Sequence, residues 1–144
     1  MRNSTKSLIR AIVDKFHEAP SLVAPITGDI YFTEVPQETI MPFVVFYLIG
    51  GSGPTTTFQR GLDITHAAVQ FSIFDLTSDP VTILGYADYL KERFDWASFI
   101  YAEETQKKIT CTRRSEGILT KSPDGDRPWQ YIVDYEVSAQ DTGT

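Results

Sequence analysis

The fold this sequence predicts is α+β: a mainly antiparallel four-stranded sheet with two helices packed on one face. Three observations predict it. Two stretches carry apolar residues at helical spacing, four runs are rich in β-branched and aromatic residues, and several of the joining segments have hairpin-like turn chemistry. The chain has 144 residues, the size of one domain that buries a real core unaided. With no internal repeat and no linker composition, it reads as a single domain over 1–144. Order is expected from about residue 8 to 138, with 139–144 a polar, frayed tail.

The elements follow in order. Leu8, Ile9, Ile12, Val13 and Phe16 recur at helical spacing after Ser4 or Thr5 as a cap, giving a helix over about 5–18 that stops before Pro20. Pro20, Pro25, Gly28, Pro36 and Pro42 break up the next stretch, leaving room for a short strand at Ile30–Thr33. Phe43 to Ile49 is apolar on both faces and reads as a central strand covered on both sides. From Leu62 to Phe74, Val69, Phe71 and Ile73 alternate with Ala68, Gln70 and Ser72, a half-buried strand. Ser78-Asp79-Pro80 starts a second helix, with Val81, Leu84, Ala87, Leu90 and Phe94 as its apolar stripe. Two last strands, about 107–119 and 128–138, flank the turn Pro123-Asp124-Gly125-Asp126.

Charge and composition exclude several functions. The formal net charge is −6 and the pI about 4.8, so the surface repels nucleic acid instead of gripping it. The single cysteine, Cys111, allows no intrachain disulfide and reads as a small buried strand residue. Arg2, Lys6 and Arg10 precede no apolar core of a signal peptide, because Asp14 and Lys15 interrupt it. The longest uncharged run, Thr39–Gln59, is broken by Pro42 and three glycines and is too short in its apolar part to span a bilayer. A soluble protein made in the cytoplasm is the expectation.

No catalytic, metal or cofactor site is predicted. The Gly50-Gly51-Ser52-Gly53 loop follows a strand, yet Pro54 and three threonines stand where a phosphate cradle needs its lysine and helix. Pro54 also replaces the closing glycine of a nucleophile elbow. His17 ends a helix, where a cation suits the dipole, and His66 has no partner at ligand spacing. Glu103, Glu104, Asp124 and Asp126 read as exposed loop carboxylates. Between Lys107 and Arg127, Lys107, Lys108, Arg113, Arg114, Lys121 and Arg127 outnumber Glu116, Asp124 and Asp126, so this hairpin carries +3 and the rest −9. Two readings stand: a solvated strand pair, or a contact surface, centred on Arg113 and Arg114, for an acidic face of a neighbouring subunit. The twelve-residue stretch Gly50 to Gly61 exceeds what a hairpin needs. It offers Gly51, Ser52, Gly53, Thr55, Thr56, Thr57, Phe58 and Arg60 as candidate partner-binding residues.

An ordered set of features also carries a likeness. A first helix is followed by Gly28-Asp29-Ile30-Tyr31, then by Pro42-Phe43-Val44-Val45-Phe46-Tyr47 and a glycine-rich loop. Next come Gly61-Leu62-Asp63, the alternating strand Ala68 to Asp75, a helix, and Tyr131-Ile132-Val133-Asp134-Tyr135-Glu136-Val137. Over about residues 8 to 138 the sequence resembles the phage tail-terminator, or tail-to-head joining, family. The resemblance implies a structural virion protein without cofactors. It would form a ring, expected to be hexameric, that caps the tail tube protein and offers a surface to the head connector. DNA would pass through the lumen without specific binding, and the protein would move from the host cytoplasm into the virion tail. Two alternatives remain: a neck or head-completion protein on the other side of the joint, and a small-ligand binding or enzymatic α+β domain.

Overall fold

A computed structural model describes residues 5–18, 25–49, 55–56, 63–76, 80–101, 104–117 and 129–141. Ser4, the Ser78-Asp79 cap and the turn at Pro123–Asp126 lie outside the described residues, as do Glu103, Lys121 and Arg127. The elements are α1 (Thr5–His17), β1 (Ile30–Phe32), β2 (Phe43–Leu48), β3 (Thr55–Thr56), β4 (Asp63–Asp75), α2 (Pro80–Phe94), β5 (Ser98–Tyr101), β6 (Glu104–Gly117) and β7 (Trp129–Asp141).

The expected four-stranded, mainly antiparallel sheet does not form. A mixed sheet runs in the order β1-β2-β4-β7-β6-β5, with β3 pairing to β4 off that path, and strand outweighs helix. Three differences have separate causes. β5 is only Ser98–Tyr101, too short for an alternating pattern to announce it. β3 is two residues, Thr55 and Thr56, opposite Ile64 and Asp63. The β1–β2 pair is parallel, Ile30 facing Val44 and Phe32 facing Phe46, although no helix provides the usual crossover.

That parallel pair depends on Gly28. Its N–H donates to the Pro42 carbonyl at 2.7 Å, and the Val44 N–H donates to the Asp29 carbonyl at 2.9 Å. A Cβ at Gly28 would overlap the carbonyl oxygens of Ile40 and Pro42, so only glycine lets the two backbones approach this closely. Asp29 then turns the chain with φ 74°. Its Oδ1 accepts from the Ile30 N–H at 2.7 Å, the local side-chain bond that suits aspartate to a left-handed position.

Both helices lie on one face. The inward residues of β2 (Val44, Phe46), β4 (Val69, Phe71, Ile73) and β7 (Tyr131, Val133, Tyr135, Val137) join Leu8, Ile12 and Phe16 of α1 in one buried core. Ile83, Ala87, Leu90 and Phe94 complete it from α2. Phe71 sits at the centre, its ring 4.8 Å from that of Phe94, 5.7 Å from Tyr135 and 5.8 Å from Phe46. α1 touches both end strands, β1 and β5, while α2 covers the middle strands. The sheet therefore curls, with the helices on its concave side.

The expected α2 stripe needs correcting. Val81 is 66% and Leu84 42% exposed, and Ile83 is the buried residue of that turn. At about 100° per residue, each step of three falls back about 60°, so Val81 ends up opposite Leu90. Ile83, Ala87, Leu90 and Phe94, spaced by four, three and four, stay within one face. On β2, Val44, Val45 and Phe46 are all buried, so the strand is covered on both sides there. β7 runs on to Asp141, beyond the expected end of the strand.

Candidate functional site

Three polar clusters fasten the helix ends to the sheet. At the end of α1, His17 Nε2 lies 2.6 Å from Asp29 Oδ1, joining the helix to the turn before β1. Beside it, Arg93 of α2 donates from Nε to the Lys15 carbonyl at 2.8 Å, and its Nη2 lies 3.1 Å from Glu18 Oε1. The Lys15 ammonium sits 5.5 Å from the Phe99 ring centre, within cation–π reach. These contacts account for His17 as a structural residue. His66 pairs through its backbone with Ser138 in the β4–β7 ladder.

The third cluster takes in Arg113. Lys91 of α2 lies 2.9 Å from Glu116 and 3.3 Å from Asp88. Arg113 lies 3.2 Å from Glu116 and 3.5 Å from Asp95. The hydrogen bond from Lys91, with the nearby Arg113 charge, holds the Glu116 carboxyl below its ordinary range. Burial works to lower the Lys91 ammonium, but its bonds to Glu116 and Asp88 outweigh that and raise it. Arg113 is thus engaged within its own chain.

Arg114 is different. The β6–β7 register shifts between Arg113 and Ser115, a bulge that leaves Arg114 as the extra residue and re-aims the strand. Arg114 is 62% exposed, and its nearest acid is Glu136 on the adjacent strand at 3.7 Å. The two arginines do not form one patch: one faces the helices and the other stands at the convex face.

Beside Arg114 the convex face holds an open groove of about 390 Å³, lined by Ile49, Ala68, Arg114, Ser115 and Asp134. Ser115 donates to Asp134 Oδ2 at 3.0 Å. The other carboxylate oxygen, Oδ1, is buried and has no hydrogen-bond partner among the described residues. Farther along this face, the Phe43 and Phe74 rings stack at 5.3 Å, and Gln130 donates to the buried Ser72 hydroxyl at 3.2 Å. The alternation in β4 and β7 marks this face as polar, but nothing in the sequence shows that Ala68 and the bulge together open a groove.

Of the loop residues, Thr55 and Thr56 form β3 on the edge of β4. Gly51, Ser52, Gly53, Thr57, Phe58 and Arg60 lie outside the described residues. Among the described residues no group of three or more His, Cys, Asp and Glu side chains is placed to hold a metal ion, and no helix is long and apolar enough to cross a membrane. Burial pushes the Cys111 thiol up to about 12, which suppresses the nucleophilic thiolate.

The fold has a counterpart among solved structures. The fold is that of a chain in the virion of a native gene transfer agent (GTA) particle. The two share 9% identity over 89% of this chain and 91% of that one, with a TM-score of 0.63. At that identity the likeness is one of fold. No family model matches the sequence, and no curated protein matches it.

Proposed function

We propose that this chain is a structural component of a phage-like particle, and within it the tail terminator. A ring of six copies caps the tail tube and offers the joining surface to the head connector. The observation that carries the reading is the fold shared with a GTA virion chain, which extends over 89% of this chain and 91% of the other. The ordered set of sequence features from Gly28-Asp29-Ile30-Tyr31 to the last strand, which resembles the tail-terminator family, supports the finer reading. A function must be argued from a site as well as a fold, and the site here suits protein contact. Its groove is open and lined by aliphatic and ionic side chains of the sheet itself. The role is mechanical, and the formal charge of −6 gives a ring wall that does not hold passing DNA.

The test is electron microscopy of the purified protein mixed with tail tubes and, separately, with head connectors. Rings on tube ends, and tubes of limited length when the protein is present during polymerisation, are expected. Binding to connectors alone would move the protein to the neck side of the joint. Binding to neither would end the proposal.

A further inference from the structure

Two exposed surfaces lie on opposite sides of the sheet. The first is the outer ridge of α2. Leu84 is 42% exposed, Tyr89 36%, and Trp96, just past the helix end, 78%. Gly85 lies on this ridge between Leu84 and Tyr89, and a Cβ there would meet nothing within 4 Å. Glycine inside a helix destabilises it relative to alanine, and no contact among the described residues calls for one here. A bare stretch of backbone flanked by apolar side chains admits a second surface at close range.

The charges on α2 are sorted. Asp88 and Glu92 stand on the outer ridge, exposed. Lys91 reaches both Glu116 and Asp88, Arg93 turns aside to Glu18, and their side chains are only 19% and 10% exposed. The ridge is therefore apolar and acidic. The groove on the convex face answers both features, with aliphatic Ile49 and Ala68 beside the outward Arg114.

We propose that the α2 ridge of one copy seats in the convex-face groove of a second copy. The backbone at Gly85 and the Leu84 side chain lie over Ile49 and Ala68. Arg114 of the receiving copy meets Asp88 and Glu92. The patches differ and face opposite ways, so the contact is head-to-tail: each copy that receives a ridge offers its own to the next. The inference rests on the terminator reading for the closure of this series into a ring.

The experiment mixes full-length copies carrying Leu84→Cys with copies carrying Ala68→Cys and adds a short bismaleimide, in solution and on tail tubes. Cys111 is buried and leaves the background low. Cross-linked dimers are expected in the mixture, with at least tenfold less in either variant alone, and a ladder in the double variant. Gly85→Leu should weaken association at least tenfold without lowering the melting temperature. Leu84→Cys homodimers would mean a two-fold contact, and cross-links to the tube protein would make the ridge a tube-binding surface. Either result overturns the proposal, as does unchanged association of Gly85→Leu. Rings that form without the cross-link overturn this contact and leave the terminator reading standing. A protein that forms no ring and caps no tube overturns both.

Discussion

The Tyr135 hydroxyl donates to Asp95 Oδ1 at 2.6 Å, and this bond fastens the middle of β7 to the end of α2. The Tyr135 ring is fully buried, edge-on to Phe71. Burial pushes its phenol well above the ordinary range, helped by the bond to Asp95. Tyr135→Phe keeps the ring and removes the donor to a charged acceptor, so it is expected to cost about 1.5–3 kcal/mol. Denaturant melts would check it. A loss below about 0.5 kcal/mol, the level of a surface site, would show that the bond contributes nothing net.

Arg113 and Arg114 should separate cleanly. Arg113→Glu puts a carboxylate against Asp95 and Glu116, and a loss of about 1–2 kcal/mol is expected from two broken pairs and new repulsion. Arg114→Glu should stay within about 0.5 kcal/mol of wild type while reducing assembly seen by sedimentation. Equal destabilisation by both changes would contradict the division of roles at the bulge.

The Cys111 thiol gives a defined alkaline sensitivity. Its folded pKa, about 12, stands above the ordinary value of 9.0, so its contribution to stability is whole below pH 9 and is lost as the pH climbs toward 12. Above pH 9 the slope approaches about 1.4 kcal/mol per pH unit. Melts of wild type and Cys111→Ala compared between pH 8 and 10 should show a flatter curve for the variant. Parallel curves would mean that the thiol is less enclosed than the core packing indicates.

Gly28→Ala tests the β1–β2 junction. Its methyl would overlap two carbonyl oxygens of the backbone, which cannot swing aside as a flexible side chain would. A cost of at least about 1–3 kcal/mol is expected. Thermal melts would measure it, with Gly85→Ala as the control, since open space at that position and helix propensity predict a gain of about 1 kcal/mol. Matching effects at the two glycines would refute the close approach.

The segment 51–60 is expected to serve joining, not folding. Replacing it with Asn-Gly removes β3, yet loop-closure entropy changes slowly with length, so the melt should move little. Joining of tails to heads in terminator-deficient extracts should be lost. Full complementation by the shortened protein would reduce the segment to a spacer.

Several elements are legible in the sequence but the architecture of the sheet is not, and the gaps have physical causes. α1 at Thr5–His17 and β4 at Asp63–Asp75 follow from apolar periods long enough to be unambiguous. β5 has no such period, and the parallel β1–β2 pairing leaves no signal beyond Gly28. The α2 stripe goes wrong because a step of three residues looks helical over one turn and drifts round the axis over several. Arg113 is a case where the signal exists: alternation from Ile109 and Cys111 puts it on the helix side. Reading it with Arg114 as one basic patch ignores that alternation. The groove depends on a bulge and on three strands distant in sequence, so only the assembled sheet reveals it.

β7 follows every other strand in sequence, yet it lies between β4 and β6. During synthesis the facing edges of β4 and β6 therefore stay unpaired until β7 slides between them. A half-made chain has no convex groove, because Asp134 arrives with β7. The groove is thus a property of the whole sheet, complete only when the chain extends through β7.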